Sequence, residues 1–290
     1  MNCGLGSFAF TWAIGASFHA PDQRLTPVGF LDQARRLGAT VVQVCENLPL
    51  VDLPEPEICD FHRRAEELGI AVELGTRGLD TANLHRHLAL AVALGSPLVR
   101  VAVDRGFDEP GPEEIIRRLR PLLPDFHATG ITLALENHER LGTRTLARII
   151  EELGPDDVGI CLDTANSLGT LETPENVVET LGPYTRSLHV RDFHVHRASH
   201  QMGFVIEGCA AGQGRLELSR ILTRLRGLTP YSFNAILETW VAPGPSLEET
   251  VLRERTWSEQ GFQHLIATAG TLAPRMRVPR EGMAIPTSAA

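Results

Sequence analysis

Pro97-Leu98-Val99-Arg100-Val101-Ala102-Val103-Asp104, Ile131-Thr132-Leu133-Ala134-Leu135-Glu136 and Gly159-Ile160-Cys161-Leu162-Asp163 share one pattern. In each run every second residue is a bulky aliphatic, and those between, Leu98 apart, are small, polar or charged. Side chains alternate across a β-strand, so each run predicts a strand with its aliphatic face against a helix layer. Arg100, Ala102 and Asp104 then point inward, as do Thr132, Ala134 and Glu136, and Gly159, Cys161 and Asp163.

The pattern continues on both sides. In 185–190, Leu188 and Val190 face out while Ser187, His189 and Arg191 face in; in 233–238, Phe233 and Leu237 contrast with Asn234, Ile236 and Glu238. Further strand candidates are 3–10, 41–46 and 70–76, which with 97–103, 131–136, 157–163, 185–190 and 233–238 make eight. Helical stretches lie between them. Thr26-Pro27 opens the first and Gly38 closes it, a cap, a first-turn proline and a terminal glycine. Leu68-Gly69, Leu94-Gly95, Thr129-Gly130 and Leu153-Gly154 close others, and Thr173-Pro174 opens one that runs to Leu181-Gly182. Strict alternation implies parallel strands with right-handed crossovers, and eight units predict a closed α/β architecture, the (β/α)8 barrel. No GxGxxG follows the first strand, as a dinucleotide-binding open sheet would require. The chain reads as one barrel domain over 1–272 with a tail at 273–290, flexible or packed on a neighbouring subunit. Segment 191–215, long and rich in Gly and His, reads as a substrate loop or lid.

Bulk properties exclude several classes. A net charge of −9 argues against nucleic acid, which demands a basic face. No apolar run approaches the ~20 residues of a membrane span, and Met1–Phe10 lacks the basic start and cleavage site of a signal peptide. Five scattered cysteines, with no CxxC, suit neither a disulfide framework nor a thiolate zinc site. A cytoplasmic enzyme with a small-molecule substrate is the expectation.

Active sites of such barrels sit at the C-terminal strand ends. Four consecutive strands end there in Glu136, Asp163, His189 and Glu238, all of inward parity. Singly, a strand-end carboxylate is commonly a cap and a histidine commonly structural. Four at matching depth would repel one another unless a cation joined them. Three carboxylates and an imidazole suit one Mn²⁺ or Mg²⁺ ion, with Co²⁺ or Zn²⁺ also compatible. Arg77, Arg100 and Arg191 also point inward and need anionic partners. Either Glu73, Asp104 and the metal carboxylates absorb that charge, or a substrate carboxylate or phosphate does. His138 and Glu139 touch substrate or belong to a loop; His194, His196 and His200 are a second metal site or solvated; Trp12 and Phe10 are pocket wall or core.

Taken together, Leu133-Ala-Leu-Glu-Asn-His-Glu139, Gly159-Ile-Cys-Leu-Asp-Thr-Ala-Asn166, Ser187-Leu-His-Val-Arg-Asp192 and Ala235-Ile-Leu-Glu-Thr-Trp240 resemble the xylose-isomerase-like barrels, over about residues 3–268. Ala211-Gly-Gln-Gly-Arg-Leu-Glu217 is similar to that family's Gly-x-Gly stretch. For the ketose epimerases of the superfamily, the resemblance implies Glu136, Asp163, His189 and Glu238 as metal ligands and Glu136 and Glu238 as the acid/base pair. Asn166 departs from the histidine usual three residues after the aspartate, which removes a proton shuttle there. Glu46, Asn47 and Arg77 stand where a zinc endonuclease would need histidines. Thr11-Trp-Ala-Ile-Gly15, Asn47-Leu-Pro-Leu50, Gly75-Thr-Arg-Gly78 and Met202-Gly-Phe-Val-Ile-Glu-Gly208 are similar to the branch containing 3-oxo-isoapionate decarboxylase.

The first expectation is therefore a metal-dependent isomerase or epimerase of a keto sugar or sugar acid, working through a metal-stabilised enediolate. The alternative is a lyase that decarboxylates a 3-keto sugar acid or dehydrates a cyclic polyol. A non-catalytic sugar-binding barrel comes third, disfavoured by the presence of both glutamates and the histidine. Arg77, Arg100, Asn166, Arg191 and His138 are the expected substrate contacts. The resemblance further implies a homo-dimer or homo-tetramer.

Overall fold

The alternating aliphatics produce the strands that their spacing predicts. A computed structural model describes residues 1–15 and 21–272; the tail expected at 273–290 lies outside the described residues. The barrel strands are β1 (Cys3–Gly6), β2 (Val41–Val44), β3 (Ala71–Arg77), β4 (Leu98–Ala102), β5 (Thr132–Glu136), β6 (Val158–Asp163), β7 (Thr185–Val190) and, after a hairpin of β8 (Asp192–Arg197) and β9 (Phe204–Cys209), β10 (Asn234–Leu237). They close in the order β1-β2-β3-β4-β5-β6-β7-β10 back to β1, all parallel. The chain is a (β/α)8 barrel.

Parity separates the two sides of the sheet. Val42, Leu74, Val99, Val101, Leu133, Leu135, Ile160, Leu162, Leu188 and Leu237 join the buried layer between strands and helices. Gln43, Glu73, Arg100, Ser187 and His189, of the other parity, are buried inside the barrel. The helix signals act as expected. Thr26 Oγ1 accepts from Gly29 N, and Gly38, Gly69, Gly95 and Gly130 end helices at positive φ. Gly182 differs: its φ of −50° continues the chain into a 3₁₀ turn, Gly182–Tyr184. The first strand stops at Gly6 because Ser7–Phe10 and Thr11–Ile14 form short helical turns over the barrel mouth.

Segment 191–215 is an antiparallel hairpin followed by a tight loop. The Asp192 carboxylate fixes it, accepting the backbone N–H groups of Phe193, Gly212, Gly214 and Leu216. That accounts for the Gly-x-Gly stretch: a side chain at Gly214 would collide with Asp192 and Phe193. No helix among the described residues is long and apolar enough to cross a membrane.

Candidate metal centre

Each of the four strand-end residues is fixed by its own strand. Asp163 closes β6; its N–H donates to Asn137 Oδ1 at 2.7 Å, and its Oδ1 accepts Ala165 N and Asn166 N at 2.7 and 2.8 Å. These bonds leave Oδ2 pointing inward. Glu136 ends β5, with Oε1 2.8 Å from His189 Nδ1 and Oε2 2.9 Å from His138 Nε2. His189 lies on β7, its Nδ1 3.8 Å from Asp163 Oδ2 and 3.4 Å from Glu238 Oε2. Glu238 follows β10, and neighbouring Gly6 makes room for it, since a Cβ there would sit 2.6 Å from Glu238 Oε1. One ligand atom from each residue lies within 4.8 Å of the others, and all four side chains are buried.

The donor set fits a divalent ion. Asp163 Oδ2 and Glu238 Oε1 are buried without a hydrogen-bond partner, although buried carboxylate oxygens ordinarily find one. Three convergent carboxylates with two orphaned oxygens make a cavity for a hard cation.

The arginines converge on this cluster. Arg100, 1% exposed, pairs through Nη2 with Glu136 Oε2 and through Nη1 with Glu46 Oε2 at 2.9 Å. Arg77 donates to Glu46 Oε1 at 3.1 Å. Arg191 pairs with Glu238, lies 3.4 Å from Asp163 Oδ2, and donates to Asn166 Oδ1 at 3.0 Å. Two of the expected counter-charges act elsewhere. The Asp104 carboxylate holds Arg140, and Glu73 accepts only from neutral side chains. Glu46, which parity did not single out, takes the arginine charge instead; it lies past the end of β2, where alternation no longer applies.

Burial works to raise the Glu136 carboxyl, but Arg100, His138 and His189 outweigh it and hold the group well below the usual carboxylate range. Burial works to lower His138, but the charge of Glu136 and the hydrogen bonds that the ring donates to Glu136 and Glu139 push the imidazole up to about 9.

A cavity of about 590 Å³ opens above the cluster, walled by Phe8, Trp12, Trp240 and Ile206 and lined by Arg77, Arg100, His138, Asn166 and Arg191. All five expected substrate contacts thus border one space. Trp12 is wall, its indole N–H donating to Val241 O, whereas Phe10 is core against Phe30. The β8–β9 hairpin supplies Ile206, Glu207 and Gly208 to the rim. His194, His196 and His200 lie on or beside this hairpin outside the cavity lining; His196 has Glu207 3.8 Å away, and these histidines join no group of three potential ligands among the described residues. A larger groove of about 830 Å³, between helices Pro174–Leu181, Leu218–Leu228 and Leu247–Gly270, is lined by none of these five residues.

Comparison with known proteins agrees with this architecture. A family model described as xylose isomerase-like TIM barrel matches residues 31–267. A curated protein of Pectobacterium atrosepticum, 3-oxo-isoapionate decarboxylase, is 33% identical over 265 residues, covering 91% of this chain and 95% of that protein. Among solved structures, D-psicose 3-epimerase from Clostridium cellulolyticum H10 superposes with a TM-score of 0.68 at 14% identity, over 93% of this chain and 99% of its own. A Mycobacterium smegmatis xylose isomerase-like TIM barrel protein, in complex with magnesium, superposes with a TM-score of 0.65 at 17% identity, over 91% and 97%.

Proposed function

Since the chain belongs to the xylose isomerase-like TIM barrel family, we propose that it is a divalent-metal-dependent lyase that decarboxylates a small 3-keto sugar acid. One observation carries the reading: Arg77, Arg100 and Arg191 line one cavity, and from it Arg100 and Arg191 pair with Glu136 and Glu238 of the cluster beneath. Guanidinium groups recognise carboxylates bidentately, so a cavity combining them with a metal centre suits a substrate with an acid group as well as hydroxyls. The 33% identity with 3-oxo-isoapionate decarboxylase supports the same choice.

Glu136, Asp163, His189 and Glu238 would hold the ion, with Mn²⁺ or Mg²⁺ best suited to that oxygen-rich set. When bound, the ion supplies Lewis acidity toward charge building on the substrate oxygens. The arginines would orient the departing carboxylate. His138, raised to about 9 and 2.9 Å from Glu136, holds a proton at neutral pH beside the cluster, ready for the carbon that CO2 leaves. Phe8, Trp12 and Trp240 narrow the mouth against water.

Epimerisation between Glu136 and Glu238 is the second reading, favoured by the convergence of both carboxylates in one cluster. Against it, Glu136 Oε2 already accepts from Arg100 and His138, which compete for the lone pairs that a base would use. Purified protein with Mn²⁺, given 3-oxo-isoapionate and neutral ketoses in D2O, separates the two. Release of CO2 from the acid is expected; solvent deuterium in recovered ketose without any CO2 would show an epimerase.

A further inference from the structure

One strand-step below the cluster lies a second buried carboxylate that the proposed chemistry does not use. Glu73 on β3 is 1% exposed and, among the described residues, has no cationic partner in its hydrogen bonds. It accepts from Gln43 Nε2 at 2.9 Å, Ser187 Oγ at 3.1 Å and Asn234 Nδ2 at 2.7 Å. Barrel interiors of this kind are normally filled with aliphatic side chains, and a carboxylate there incurs desolvation. Its neighbours suggest what it does.

The other end of the Gln43 amide meets the proposed metal ligand, with His189 Nε2 2.6 Å from Gln43 Oε1. Glu73 accepts on both oxygens, from Gln43 Nε2, Ser187 Oγ and Asn234 Nδ2, so Gln43 turns its NH2 toward Glu73 and its oxygen toward His189. The imidazole then carries a proton on Nε2. That leaves Nδ1 as the atom that serves Glu136, Asp163 and Glu238. A ring free to flip would present either nitrogen; the Glu73–Gln43 pair removes that choice. Gln43 belongs to β2, Glu73 to β3 and His189 to β7, so barrel closure assembles the chain of contacts.

We infer that Glu73, acting through Gln43, is a positioning pair that fixes the tautomer and orientation of His189 and thereby sets the affinity of the centre for its ion. The inference rests on the metal-centre reading above, and its test is metal binding by the full-length chain without substrate. Free Mn²⁺, followed by its EPR signal during titration, reports affinity, and thermal melting of metal-free protein reports folding.

Gln43→Leu removes the acceptor for Nε2–H, and about a 10–100-fold weaker Mn²⁺ affinity is expected, the usual scale for partners of a metal-bound histidine. Glu73→Gln, nearly isosteric, weakens binding in the same direction and carries the comparison should Gln43→Leu not fold. The double variant Gln43→Glu/Glu73→Gln exchanges carboxylate and amide, keeps an acceptor on Nε2–H, and restores most of the affinity. A merely structural role would lower the melting temperature of metal-free protein without this recovery. Unchanged affinity in the single variants, or a loss that the exchange does not repair, overturns the inference. Wild-type protein that binds no Mn²⁺ would overturn the metal centre itself.

Discussion

Buried acid occupies this barrel at two levels, which share strands β7 and β10. Ser187 and His189 are neighbours of like parity on β7, and Asn234 and Glu238 bracket β10 in the same way. In the lower layer Glu73 is surrounded by neutral donors that satisfy it. In the upper layer Asp163 Oδ2 and Glu238 Oε1 have no hydrogen-bond partner, and arginines hold the remaining charge. A buried acid with its donors in place belongs to the scaffold or to positioning; one with orphaned oxygens is prepared for a ligand. The difference lies in hydrogen-bond completeness, since burial is the same in both.

The sharpest way to break that contrast is to neutralise the upper layer. Glu136→Gln and Glu238→Gln should each abolish turnover, with kcat lowered about 10³-fold or more in a CO2-release assay. A near-normal rate in either would mean that the upper acids are scaffold too.

Asp163→Asn tests the same point through stability. Asn keeps an oxygen for the Ala165 and Asn166 N–H groups and removes one of three mutually repelling buried carboxylate charges. The metal-free variant should melt no lower than wild type, while the rise in Tm that Mn²⁺ gives the wild type should vanish. A large loss of metal-free stability would place Asp163 with Glu73.

Arg191→Lys probes the charge above both layers. Loss of a bidentate fork should lower kcat/KM for a 3-keto acid about 10-fold or more and leave any activity on neutral ketoses much less affected. Equal losses for acid and neutral substrates would remove the acid-binding role.

A third buried acid tests the contrast away from the cluster. Glu254, on helix Leu247–Gly270, accepts Trp12 N and Ala13 N at 2.8 and 2.9 Å and so anchors the turn that carries Trp12. Burial raises its carboxyl to about 7 despite those bonds. A raised folded-state value means that the native protein binds the proton more tightly than the unfolded chain. The resulting stabilisation is present below the unfolded value and is lost as pH rises through about 7. Relative to Glu254→Gln, wild type should lose about 3 kcal/mol between acidic and neutral pH, read from urea unfolding at each pH. Parallel stability profiles would show that Glu254 binds its proton equally well in the folded and unfolded chains.

The strands around Val99, Leu133 and Ile160 were legible because period-two alternation is local and needs no partner to be seen. That Glu136, Asp163, His189 and Glu238 meet followed from parity plus closure, and the structure brings them within one cluster. Segment 191–215 was harder. Its hairpin depends on Asp192 gathering N–H groups from residues up to 24 positions ahead, and no local period marks such a contact. Glu254 escaped notice because a buried glutamate on a long helix has the same pattern as an exposed one until its partners, Trp12 and Ala13, are known.

The sequence alone therefore determined the class of fold, the face to which each strand residue belongs and the residue types gathered at the top of the barrel, since all three follow from backbone geometry. Only the tertiary structure decided which cation faces which anion. Glu46 rather than Asp104 or Glu73 answers Arg77 and Arg100, and Gln43 answers the Nε2 side of His189 while Glu136 answers Nδ1. Hydrogen bonds and ion pairs depend on distances of a few tenths of an ångström between residues far apart in the chain, and closure of the barrel sets those distances.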